Sequence, residues 1–141
     1  MSRSGGAGRA RRARTSADGP RLVVQTLVGT RLVMLVVAAW VMLSERRSLS
    51  DVFGNWDVVH YLAIAADGYA EPNSIAFFPG WPLLVRLASA SGLPPLVAGM
   101  LVALVASALA AWALYRLGGA PAAIAWLLAP TAVFTLVPYT E

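Results

Sequence analysis

The sequence predicts an all-α integral membrane protein: about three transmembrane helices, with short interfacial helices in the first outer loop. Three observations predict it. The chain has 141 residues, 58% of them hydrophobic and only 13% charged, with a mean hydropathy of +0.66. Soluble domains carry about 25% charged residues, and so few polar side chains would leave a small water-soluble fold largely uncovered. The apolar residues fall in three runs separated by polar pieces. Charge is segregated as well: every base is Arg, six of the eleven lie in the first 21 residues, and five of the seven acids lie between residues 45 and 71.

Residues 1–21 are rich in Gly, Ala, Ser and Arg and read as a disordered cytoplasmic tail, because they hold nothing to build a core from. A basic tail can bind nucleic acid. One that runs directly into an apolar stretch marks the cytoplasmic face instead, so no nucleic-acid partner is expected. Residues 22–43 read as the first transmembrane helix, about 33 Å long at 1.5 Å per residue. Arg31 interrupts it. The simpler reading is an Arg reaching the inner headgroups; the functional one is a contact with an anionic lipid phosphate. Arg11-Arg12 would also suit a twin-arginine signal. The apolar run is long and charged, however, and lacks a small-x-small cleavage site, so the span reads as retained.

Residues 44–95 read as an extracytoplasmic loop with two short helices, about 55–66 and 80–91. Asn55 is placed to cap the first, and Asp67-Gly68 to stop it. Phe77-Phe78-Pro79-Gly80-Trp81-Pro82 opens the second, which contains Arg86. It is too short to span and reads as interfacial, with Phe77 and Trp81 at headgroup depth. Leu93-Pro94-Pro95 breaks the chain. Residues 96–117 form a second transmembrane helix, with Gly99, Ala103, Ser107 and Ala110-Ala111 as a small-residue stripe. Gly118-Gly119 makes a turn. Residues 121–138 form a third helix, started at Pro121 and kinked at Pro130. The positive-inside rule puts the N-terminus and Arg116 in the cytoplasm, and the acidic loop, Tyr139 and Glu141 outside. Arg46 and Arg47 are a mild violation, partly offset by acidic neighbours.

Chemistry concentrates in Trp56–Ala65. On a helix, Asp57, His60, Tyr61 and Ile64 share a face by i, i+3, i+4 spacing. A carboxylate beside the outer leaflet can act as a general base. By spacing alone, an acid favoured by the dipole at a helix start is the simpler role for Asp57. His60 can partner or orient the carboxylate, but a lone His makes a poor metal ligand. No metal site or cofactor is expected: there is no cysteine, no Asp-x-Asp pair, no P-loop, no dinucleotide-binding turn and no Gly-x-Ser-x-Gly. Tyr61 and Tyr69 have the look of interfacial aromatics, and Glu71-Pro72-Asn73-Ser74 that of a loop.

Three segments in order carry a resemblance: Asn55–Ala65 with Gly68-Tyr69; Ala76–Arg86; and Ala129-Pro130-Thr131-Ala132-Val133-Phe134 with Tyr139-Thr140-Glu141. Together they resemble the PIG-V type mannosyltransferases, the GPI mannosyltransferase 2 family and its bacterial relatives, over residues 50–141. The resemblance implies a GT-C-like helical bundle whose first outer loop carries the catalytic carboxylate, here Asp57. It implies an inverting transfer of mannose from a polyprenyl phosphate to a glycan or glycolipid acceptor, with membrane lipids as surroundings. His60, Tyr61, Arg86 and Glu141 are then candidate substrate-binding residues, with Arg86 beside the donor phosphate. Family members are longer, so the chain is expected to be an N-terminal portion of one. The membrane would be the plasma membrane in a bacterium or the endoplasmic reticulum in a eukaryote. A catalytically inactive membrane protein (a remnant or an assembly partner) is the alternative. A transporter fragment is a weaker one, since transport sites lie near the midplane.

Overall fold

The computed structural model describes residues 5–137, and among them the structure is all-helical, without strands. Long α1 (Gly5–Glu45) leads to the short α2 (Leu49–Phe53) and α3 (Asp57–Asp67). A 3-10 turn (Pro72–Ala76), α4 (Gly80–Ser89), long α5 (Pro95–Leu127) and a second 3-10 turn (Pro130–Thr135) follow. Two stretches are long and apolar enough to cross a membrane: Asp18–Glu45 of α1, and α5.

α1 is longer than the expected span. The tail expected to be disordered is helical from Gly5 onward. Ala and Arg are strong helix formers, and adding turns to an existing helix avoids the cost of nucleation. The helix has two unlike faces. Val24, Val28, Leu32, Val36 and Trp40 are exposed at i, i+4 spacing, an apolar stripe suited to lipid. Val23, Arg31 and Ala38 are buried, and Leu27 and Met34 pack on the same side.

α5 is interrupted at Gly119, whose φ of 73° and ψ of −172° lie outside the helical region. That conformation is open to glycine and strained for other residues. The leg before the break runs antiparallel to α1. Ala111 joins Val23 in one apolar cluster, while Leu96 joins Ala38 in the other. Equal numbers of residues separate the members of each pair along the two helices.

The stretch after Gly119 turns back parallel to α1. Ala123 and Leu127 pack with Val23, and Leu136 joins the cluster of Ala38. This stretch was expected to be a single helix over 121–138. It is α-helical only to Leu127 and continues as the 3-10 turn Pro130–Thr135. Pro130 has no N–H and disfavours helical geometry at the residue before it, so the α-helix stops short of it.

The bundle therefore has two distinct ends. A Cβ on Gly19 would lie 3.2 Å from the Tyr115 ring, so Arg21 and Arg116 share the end where the basic tail enters. At the other end α3 is seated on the bundle by Val58, which is 1% exposed and belongs to the cluster of Ala38, Leu96 and Leu136. α4 packs across α3 and α5.

Candidate functional site

The approach to Asp57 is built by two tight local structures. After α1, Arg46 takes φ 53° and Ser48 caps α2. The Ser48 hydroxyl accepts from the Asp51 N–H at 3.2 Å. The Asp51 carboxylate accepts from the Ser48 hydroxyl at 2.7 Å and its N–H at 2.8 Å. This is a capping box with Asp in the third position. The bonds from the Ser48 side chain and backbone hold the Asp51 carboxyl below the ordinary carboxylate range.

Asn55, expected to cap the next helix, instead donates its side-chain amide to the Asp51 carbonyl at 2.6 Å. Trp56 occupies the N-cap of α3 with φ 58° and ψ −132°, and makes no side-chain capping bond. A non-glycine residue held at such angles stores roughly 1–3 kcal/mol of strain. The Trp56 side chain is 76% exposed.

Asp57 opens α3 and is half-buried. Among the described residues, no hydrogen bond or ion pair engages its carboxylate. The stripe expected to carry Asp57, His60 and Tyr61 together is divided. Tyr61 is buried, with Ile64 one turn on, whereas His60 is exposed. Phe77 joins them from the loop: its ring stacks on His60 with centroids 5.0 Å apart and meets the edge of Tyr61 at 5.2 Å. Tyr69 donates its hydroxyl to the Phe77 carbonyl at 2.8 Å, folding the 69–77 loop back onto α3. The sequence marks Phe77 only as a headgroup-depth aromatic. Its clamp on His60 and Tyr61 is not legible in the sequence, because no periodicity links a loop residue to a helix sixteen positions upstream.

Arg86 is exposed in the last turn of α4. It lines a cavity of about 200 Å³ with Ile64, Gly68, Tyr69, Pro79, Pro82 and Leu83. That cavity lies at the C-terminal end of α3. A second cavity, of about 230 Å³, lies at the other end, lined by Val52, Phe53, Asn55, Trp56, Val58, Phe134 and Val137. Asp57 and Arg86 thus stand near opposite ends of a helix about 15 Å long and share neither cavity. Glu141 and Tyr139 lie outside the described residues.

Residues 26–137 match the family described as Mannosyltransferase (PIG-V). The GPI alpha-1,6-mannosyltransferase 2 of Mus musculus is 33% identical over 105 residues, covering 61% of this chain and 21% of the mouse protein. That of Cricetulus griseus is 34% identical over 105 residues, with the same coverage. The chain thus spans about a fifth of the length of the curated relatives it matches. No solved structure matches. The matched region contains α2 to α5, both cavities, and the Asp57, His60 and Tyr61 helix, and the chain belongs to the PIG-V mannosyltransferase family.

Proposed function

We propose that this chain carries the base-bearing module of an inverting mannosyltransferase that works at the outer face of a membrane. The donor in this reading is mannose on a polyprenyl phosphate, and the acceptor a hydroxyl of a glycan or glycolipid. The observation that carries the proposal is the half-buried Asp57 carboxylate, uncommitted among the described residues and held at the apolar rim of the bundle.

In the reaction, Asp57 takes the proton of the acceptor hydroxyl. The oxygen attacks the anomeric carbon of mannose from the face opposite the lipid phosphate. The bond from that carbon to the phosphate oxygen breaks, and polyprenyl phosphate leaves with the electron pair. One displacement inverts the anomeric centre, and general-base assistance contributes roughly 10²–10⁴-fold. His60 and Tyr61 are assigned to substrate binding. Arg86 is a candidate for the donor phosphate only if the substrate bridges the length of α3.

The orientation is part of the same proposal. Arg21 and Arg116 share one end of the bundle, where the positive-inside rule calls for cytoplasm. α3 occupies the other, which is then the outer face. The family match favours this reading over an inactive assembly partner.

The test is transfer of labelled mannose from polyprenyl phosphate, in membranes containing the chain or a chimera with residues 26–137 in the mouse relative. Asp57→Asn is expected to lower transfer at least about 100-fold at equal expression. Unchanged transfer would remove Asp57 as the base.

A further inference from the structure

The displacement described above leaves Trp56 without a part, yet this residue is held in strain. Its φ of 58° and ψ of −132° lie where residues with a Cβ rarely sit. Two fixed points enforce the conformation. Behind it, the Asn55 side-chain amide is tied to the Asp51 carbonyl at 2.6 Å. Ahead of it, Val58 is buried in the bundle. Strain that persists between such anchors points to a function for the side chain it displays.

That side chain stands in the open. Among the described residues, no hydrogen bond or ring contact engages the indole. A tryptophan placed only to meet headgroups needs no strained backbone, since any outward position on a relaxed helix would serve. This one borders the cavity of about 230 Å³ at the N-terminal end of α3. Phe134 lines the same cavity, and its turn is pinned to α1. The neighbouring Thr135 hydroxyl accepts a bond at 2.5 Å from Arg31, which is buried within the span rather than turned to the headgroups.

The cavity's side chains are apolar apart from the Asn55 amide. The amide nitrogen is committed to Asp51, which leaves its oxygen to accept a hydroxyl. Next in the chain is the uncommitted carboxylate of Asp57. An exposed aromatic face, a free amide oxygen and an adjacent carboxylate together suit a sugar ring. The indole face is electron-rich, the C–H bonds on one face of a pyranose are electron-poor, and its hydroxyls need acceptors.

We propose that Trp56 is the platform on which the acceptor stacks, so that the acceptor hydroxyl is carried by a pyranose ring. The choice of acceptor over donor rests on the reading of Asp57 as the base. The attacking oxygen lies between the base and the anomeric carbon, so the ring on the Asp57 side is the acceptor's. The strained backbone presets the indole, and binding then spends little on ordering it.

The first measurement reads binding without turnover. The indole N–H resonance of Trp56, assigned by its loss in Trp56→Phe, is followed in micelles of the chain as methyl α-mannopyranoside is added. A saturable shift of this one among the five tryptophan resonances is expected. Sorbitol, which has the hydroxyls but no ring, should leave it in place. The second measurement is mannosyl transfer by the chimera with the mouse relative. Trp56→Leu is expected to raise the acceptor KM about tenfold with the donor KM unchanged, and Trp56→Phe to recover most of that loss. The absence of a saturable shift, an equal shift with sorbitol, or a rise in donor KM in place of acceptor KM overturns the proposal. The resonance needs no transfer, so failure of Asp57 as the base leaves the Trp56 shift standing. Failure of the platform leaves the Asp57→Asn loss standing.

Discussion

Trp56 holds a backbone conformation that glycine adopts freely, one residue before the candidate base. Trp56→Gly is therefore expected to raise stability by about 1 kcal/mol, after allowing for the added freedom of the unfolded chain. Trp56→Ala keeps the Cβ and the strain, and should gain nothing. Unfolding in mixed micelles distinguishes the two; an equal gain in both variants would mean that strain is not the cause. Asp51 supports a pH prediction. Its carboxyl is held below the ordinary range by Ser48, so the cap contributes fully above the unfolded value, about pH 4. The contribution is lost as pH falls through the lower native value. The N-terminal turn of α2 should thus loosen only in acid, visible in the Asp51 and Ser48 amide resonances, and Ser48→Ala, which removes the hydroxyl but keeps the backbone N–H bond, should weaken that acid dependence. The residue types at the candidate site were legible in the sequence, whereas the division between buried Tyr61 and exposed His60 was not. Spacing places side chains on a helix but does not say which side meets the bundle.

At the scale of elements, the decisive feature is the break at Gly119. It turns one long apolar stretch into two legs that pack on α1 in opposite directions. A Cβ there would meet only Pro121, at 3.7 Å, so crowding is not the issue; the positive φ is. Gly119→Ala should cost about 1–3 kcal/mol in stability, measured by denaturant unfolding in micelles. A neutral result would mean that the turn is not held in this conformation. The sequence predicts helices over about 55–66 and 80–91, and helices are observed at Asp57–Asp67 and Gly80–Ser89. Apolar periodicity, Gly68 and the prolines around residue 80 made these visible. The 3-10 continuation after Pro130 was not visible, because proline says that an α-helix stops but not what replaces it.

At the scale of the whole molecule, the bundle has a basic end and an end that carries α3. The absence of cysteine makes its orientation measurable. In sealed right-side-out vesicles, Asn73→Cys should react with a membrane-impermeant maleimide, and Ser16→Cys should react only after the membrane is opened. The reverse pattern would place Asp57 in the cytosol and remove the proposed site from the outer leaflet. The exposed stripe Val24, Val28, Leu32, Val36 and Trp40 fits contact with lipid, which requires no polar complement from the protein.

The sequence by itself determined the helical class, the membrane-compatible composition, the loop that carries the acids, and the family motifs around Asp57. All of these are local properties: they follow from composition, short-range spacing and the backbone limits of glycine and proline. Only the tertiary structure decided that Arg31 faces inward, that Phe77 clamps His60 and Tyr61, and that Arg86 stands at the far end of α3 from Asp57. Each of these depends on which elements meet, and such contacts between distant residues leave no periodic trace in a single sequence.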